Sequence, residues 1–214
     1  MGVTTVNWQG RFAILGWGVS GKASAHALVK RGAQLCAFDG RAPEDDQSEN
    51  DVNVEFVSEA DSDVLAQAVI DWKPDCIVDS PGIPAHHPIF SAAATAGIEL
   101  IGEVELAWRL QEDSEHAGRP WLCVTGTNGK TTTVGMLGAM LRAAGENAVE
   151  VGNIGLPICE AIDTDATVFA VELSSFQLHT VSTVSPLASV CLNVDADHLD
   201  WHGSAQAYAA DKAK

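Results

Sequence analysis

The run Trp121-Leu122-Cys123-Val124-Thr125-Gly126-Thr127-Asn128-Gly129-Lys130-Thr131-Thr132 decides the fold. Its apolar start predicts a strand through Val124, the glycines predict a loop, and residues 131–144 have helical spacing. Strand, glycine loop and helix together make a cradle for phosphates. Successive backbone N–H groups and the helix N-terminus face the anion, Lys130 neutralises its terminal oxygens, and Thr131 offers a hydroxyl to Mg²⁺. Val124 stands where the general G-x-x-x-x-G-K-[ST] pattern has its first glycine. A chance match in a surface turn is the competing reading. The strand before and the helix after favour ATP, with Gly126, Thr127, Asn128, Gly129, Lys130, Thr131 and Thr132 as its binding loop.

Downstream, strands are expected at 148–151, 167–173 and 188–194, and a helix at 204–214 with Ser204 as its N-cap. The chain stops before that helix has anything to lead into, which reads as a truncation. Glu172 sits at the end of an apolar strand, where a buried carboxylate needs a partner such as a metal. His198 comes after another strand's C-terminal end, the side on which open parallel sheets bind ligands. The competing reading of Glu172 is a carboxylate at a strand end facing water, and a loop histidine taken alone is more often a solvated residue.

Upstream, Gly16, Gly18 and Gly21 form G-x-G-x-x-G between an apolar run at 11–15 and a helix at 22–31 closed by Gly32. Asp39 ends the next strand, 34–38, as a diphosphate-binding fingerprint requires. Three readings stay open at this loop: a nicotinamide or flavin, another diphosphate such as a UDP-sugar, or a turn that only packs helix on strand. Helices at 64–72, 89–96 and 103–110 alternate with strands at 76–78 and 98–101, so a mostly parallel sheet with helices on its faces is expected. Apolar periodicity is lost over 111–120. The expected domains are therefore 1–112 and 121–214, with 113–120 as linker.

The 214 residues carry 12 Lys+Arg against 29 Asp+Glu, a net charge of −17, with 46% hydrophobic residues. That balance repels phosphate backbones and argues against a nucleic-acid partner. No apolar run approaches the roughly 18 residues of a membrane span, and residues 1–10 lack the basic and apolar regions of a secretory signal. The stretch 44–51 (EDDQSEND) reads as a solvated acidic loop. Five cysteines without a C-x-x-C pair, each in an apolar stretch, read as small core residues in a reducing, cytoplasmic setting.

Gly126 to Thr132, the segments 151–155 (VGNIG) and 172–178 (ELSSFQL), and Asn193 to His198, in this order, resemble the Mur ligases. The glycine-rich start, 80–84 (SPGIP) with His87-Pro88, and 102–106 (GEVEL) are similar to the branch adding D-glutamate to UDP-N-acetylmuramoyl-L-alanine. The resemblance implies an α/β fold, a Rossmann-like parallel-sheet N-terminal domain followed by part of a P-loop-type central ATPase domain. It implies a cytoplasmic enzyme of peptidoglycan synthesis whose first loop holds UDP and no redox cofactor. By carry-over, Val19, Ser20, Asp39, Arg41, Ser80, Pro81 and Gly82 would line the UDP pocket, and Asn153 would approach the muramoyl part. Gly40 stands where family members have a threonine.

The resemblance also implies a reaction. ATP phosphorylates the substrate's L-alanine carboxylate, and the amine of D-glutamate attacks the acyl phosphate. Lys130, Glu172, His198 and Lys212 are the implied catalytic residues. Thr131, Glu172, His198 and Lys212 would serve two Mg²⁺ sites, with Lys212 carbamylated and Lys214 as the alternative lysine. A chain ending here is expected to be an inactive fragment. Competing classes are a non-catalytic binder of UDP-substrate and ATP, and a nicotinamide-dependent oxidoreductase built on the first loop.

Overall fold

The structure, a computed structural model, describes residues 7–42 and 54–214. Residues 1–6 and the acidic stretch 44–51 lie outside the described residues. The chain divides into two compact units, Met1–Ser80 with His87–Leu100, and Pro81–His86 with Ile101–Lys214.

The first unit opens with β1 (Arg11–Leu15), α1 (Val19–Val29) and β2 (Gln34–Asp39), then β3 (Glu55–Ser58), α2 (Ser62–Asp71), β4 (Cys76–Asp79), α3 (Pro88–Ala96) and β5 (Glu99–Gly102). Strand order is β3-β2-β1-β4-β5. β1 runs parallel to both neighbours, Ile14 facing Ala37 on β2 and Val78 on β4. It is buried from Phe12 to Leu15, as a central strand covered on both faces must be. Local chemistry sets the helix ends. Asp61 accepts from the backbone of Asp63 and Val64 to start α2, and α3 begins at Pro88 and ends at Gly97 in the left-handed region.

The second unit contains α4 (Glu103–Glu112), β6 (Trp121–Thr125), α5 (Lys130–Ala143), β7 (Ala148–Gly152), α6 (Ile158–Ala161), β8 (Val168–Glu172), α7 (Ser175–His179), β9 (Ala188–Cys191), α8 (Leu199–His202) and α9 (Ala205–Lys212). Its sheet runs β7-β8-β6-β9, every pair parallel. Trp121 anchors the core, edge-on to Trp108 at 5.1 Å and tilted against Phe169 at 6.2 Å, its indole N–H donating to Gln111 Oε1 at 2.9 Å.

Several expectations shift. By compactness α4 groups with the second unit, to later segments of which hydrogen bonds tie it. Glu105, fully buried, accepts the backbone N–H groups of Ser182 and Thr183 at 2.9 Å each, and Glu103 accepts that of Cys159 at 2.9 Å. These polar ties leave no trace in hydrophobic periodicity. Cys191 is exposed on β9, so only four of the five cysteines are core residues. β3 and the four- and five-residue helices α6, α7 and α8 are too short to show a period. β9 ends at Cys191, three residues before the expected Val194.

Candidate functional site

In the second unit, residues 126–129 connect β6 to α5. Gly126 has φ +150° and Gly129 φ +87°. A Cβ on Gly126 would stand 3.1 Å from Leu192 Cβ and 3.3 Å from the Asn193 nitrogen, so the loop needs glycine there. The segment after β9 pins the loop. The amide of Asn128 donates to Asn193 Oδ1 at 2.9 Å, Asn193 Nδ2 returns a bond to Asn128 O at 3.0 Å, and the Thr127 amide donates to Asn193 O at 3.0 Å. Asn193 lies in a stretch the sequence singles out, yet this side-chain role needs the fold to bring 128 and 193 together.

Two ammonium groups meet at this loop. Lys130 Nζ donates to Gly126 O at 2.9 Å and Thr127 O at 3.0 Å. Lys212 Nζ, arriving from α9, donates to the same Gly126 O at 2.9 Å and to Thr125 Oγ1 at 3.4 Å. Lys212 is buried, and burial first, then the charge of Lys130, lowers its pKa. The alternative lysine, Lys214, turns instead to Asp211 Oδ1 at 3.3 Å. Tyr208, four residues before Lys212, places its hydroxyl 2.8 Å from Thr127 Oγ1.

Glu172, at the end of β8, is 1% exposed. Its Oε2 accepts from Thr131 Oγ1 at 2.9 Å and its Oε1 from Asn153 Nδ2 at 2.8 Å. Both oxygens of the buried carboxylate are therefore satisfied. Thr131 itself is exposed at the start of α5, so hydroxyl and carboxylate form a hard-oxygen pair at the mouth of the loop. That pair fits Mg²⁺, which binds through one or two protein oxygens and completes its shell with phosphate and water. Asn153 holds the carboxylate in place.

His198 sits in the left-handed region at φ +50°, its ring 4.8 Å from that of Phe176 and Nε2 3.5 Å from Asp197 Oδ2. These contacts do not bring it to Thr131, Glu172 or Lys212. Among the described residues, no group of three or more His, Cys, Asp or Glu side chains is arranged to hold a metal ion.

The first unit carries the second glycine loop, and its three glycines do different work. Gly16 has φ +88°. A Cβ on Gly18 meets nothing within 4 Å, whereas one on Gly21 would stand 2.0 Å from Gly16 O. Turn, open approach and close helix–strand packing are the three roles of a diphosphate loop. Asp39 braces it, Oδ2 accepting the Trp17 amide at 2.7 Å and Oδ1 that of Arg41 at 3.0 Å. Ser80 Oγ donates to Gly16 O at 2.8 Å. Val19 and Arg41 are exposed and Ser20 is half-buried. Pro81, Gly82 and Asn153 fall in the second unit.

Residues 10–102 match the family model "Mur ligase MurD-like, N-terminal domain", and residues 124–214 match "Mur ligase middle domain". A UDP-N-acetylmuramoylalanine–D-glutamate ligase of Thermobifida fusca is 47% identical over 208 residues, covering 95% of this chain and 43% of that protein. One of Frankia casuarinae is 46% identical over 214 residues, covering 98% of this chain and 44% of that protein. The chain thus spans less than half the length of these relatives. In fold it is similar to the UDP-N-acetylmuramate:L-alanyl-gamma-D-glutamyl-meso-diaminopimelate ligase of Neisseria meningitides, at a TM-score of 0.54, 19% identity, and coverage of 94% of this chain and 66% of that one.

Proposed function

The chain belongs to the Mur ligases, and from that premise we propose that it is the substrate- and nucleotide-binding part of an ATP-dependent ligase joining D-glutamate to UDP-N-acetylmuramoyl-L-alanine in peptidoglycan synthesis. The observation carrying this reading is the convergence of Lys130 and Lys212 on Gly126 O, beside the Thr131–Glu172 pair. A triphosphate laid along the loop meets backbone N–H groups, the Lys130 ammonium and a hard-oxygen pair, with the Lys212 side chain beside them. The named activity of the relatives needs that set of groups.

A carboxylate is a poor electrophile. Transfer of the γ-phosphoryl group to the L-alanine carboxylate makes an acyl phosphate, which the amine of D-glutamate attacks with loss of phosphate. Such transfer is catalysed by positioning and charge neutralisation. Lys130 leaves the loop carbonyls for the phosphate oxygens, and the loop N–H groups orient the chain of phosphates. Thr131, Glu172, His198 and a carbamylated Lys212 would hold two Mg²⁺ ions, which neutralise phosphoryl oxygens when bound. Carbamylation suits Lys212 in particular. It needs neutral amine, which burial and Lys130 favour, and it replaces a repelled cation with an anionic oxygen ligand.

In the first unit, Gly18 leaves room for a diphosphate at the start of α1, with Val19, Ser20, Asp39, Arg41 and Ser80 around it. Pro81, Gly82 and Asn153 are assigned to the same substrate. No residue is assigned to D-glutamate. The test is ADP release with all three substrates in this chain extended to the length of its relatives. Lys130→Ala and Glu172→Gln should each lower turnover on the order of 10³-fold with the fold retained, since charge on the phosphoryl group goes uncompensated. Near-normal turnover in either variant removes that residue from the site.

A further inference from the structure

Beside Lys212 on α9, and packed against Tyr208, lies a largely buried polar network that the proposed chemistry does not use. Asp211 Oδ2 is shared by His179 Nδ1 at 2.9 Å and His202 Nδ1 at 3.0 Å. His202 Nε2 in turn lies 2.9 Å from Ser175 Oγ. A carboxylate only accepts, so both histidines donate through Nδ1; Nε2 of neutral His202 then accepts from the Ser175 hydroxyl. The pKa of His202 is lowered, chiefly by burial. Ser, His and Asp stand in the order of a nucleophilic relay. Ser175 is 3% exposed in the first turn of α7, however, and the Asp211 carboxylate is shared with a second histidine. The network is built to hold rather than to react.

The composition of α9 shows what is held. The helix is eight residues long, and its buried residues are Tyr208, Asp211 and Lys212, the rest being alanines and Gln206. It has no large aliphatic side chain to key its rotation against the core, and so short a helix has little stability of its own. Tyr208 and Lys212 both reach toward the phosphate loop, at Thr127 and Gly126. Asp211 is the buried carboxylate through which α9 hydrogen-bonds to both α7 and α8.

We propose that the Ser175–His202–Asp211–His179 network sets the rotation of α9 and so holds the Lys212 amine against the phosphate loop, making His202 and Asp211 positioning residues of the nucleotide site. The lever is long. With Cα about 2.3 Å from the helix axis and the lysine head about 6 Å beyond it, a turn of about 30° carries Nζ about 4 Å, more than the length of its hydrogen bond. That Lys212 matters to nucleotide binding rests on the function proposed above; that the network fixes Lys212 does not.

The experiment is pulse acylation of the 214-residue chain with acetic anhydride, read lysine by lysine by mass spectrometry. In the unaltered chain Lys212 should react at least tenfold more slowly than exposed Lys73. Asp211→Ala and His202→Ala should bring Lys212 to within threefold of Lys73 while Lys130 keeps its rate. His202→Asn, which can place an amide N–H near the position of Nδ1, should keep Lys212 slow. Should the alanine variants fail to fold, His202→Gln, which gives up the Asp211 bond, takes their place and should label fast. Lys212 remaining slow in these variants, Lys212 and Lys130 rising together, or His202→Asn labelling as fast as His202→Ala each overturns the proposal. A parallel arm adds Mg·ATP, which should slow Lys130 in the unaltered chain and bind about tenfold more weakly to Asp211→Ala. Failure of ATP to protect Lys130 in the unaltered chain counts against the functional reading, and the labelling contrast still decides the role of the network.

Discussion

At the scale of single residues, the two glycine loops separate binding from folding. Gly18→Val adds a Cβ that meets nothing within 4 Å, so thermal stability should change by less than about 1 kcal/mol, while a β-branched group blocks approach of a diphosphate. Calorimetry with UDP-N-acetylmuramoyl-L-alanine should show binding lost; equal affinity in both proteins contradicts the assignment. Gly21→Ala is the converse. Its Cβ would overlap Gly16 O, and overpacking should cost about 1–3 kcal/mol in a denaturant melt. For Lys212, Lys212→Ala in an extended chain should lose turnover and regain part of it with short carboxylic acids that supply the missing oxygens; a fully active variant refutes carbamylation. Glu172 was readable from sequence because a carboxylate ending an apolar run demands a partner. Asn193, His202 and Asp211 were not, since each works through a contact the chain makes only after folding.

At the scale of elements, the apolar strands and the longer helices could be read to within a few residues, because burial imposes their period. α4 was legible too, but its polar ties to the second unit through Glu103 and Glu105, beside the packing of Trp108 and Gln111 on Trp121, were not. These two carboxyls titrate in opposite senses. Glu103, fully buried and with no hydrogen-bond partner for Oε2 among the described residues, has its pKa raised from 4.5 to about 7, burial outweighing the Cys159 and Ile158 amides. Glu105 is lowered: burial raises it, but Thr183, Ser182 and Arg109 outweigh that. The folded state therefore holds the Glu103 proton more tightly than the unfolded chain. Its contribution is complete below about pH 4.5 and is lost as pH rises through about 7. Glu105 contributes above 4.5 and loses its contribution as pH falls through its lower folded value. Melting temperature against pH should accordingly fall less between about pH 5 and 7.5 in Glu103→Gln than in the unaltered chain. A curve of unchanged slope would place the Glu103 proton elsewhere. β9 makes a separate prediction. It is the last strand in its sheet and exposed along its whole length, with Val190 45% exposed. Val190→Lys should reduce light scattering at high concentration with little change in melting temperature, because a charged edge resists strand addition.

At the scale of the whole molecule, two parallel sheets each present a glycine loop where a strand meets its helix, and each loop is assigned its own ligand. The order of motifs along the chain revealed this organisation, while the side-chain bonds that tie α4 to later segments leave no mark in periodicity. Among the described residues no helix is long and apolar enough to cross a membrane. The central claim is that residues 126–132, with Glu172 behind them, hold ATP. Calorimetric titration of the 214-residue chain with Mg·ATP, beside Lys130→Ala and Gly18→Val, tests it most directly. Saturable one-to-one binding is expected, weakened at least tenfold by Lys130→Ala and left unchanged by Gly18→Val. Binding unaffected by Lys130→Ala, or abolished by Gly18→Val, would contradict it.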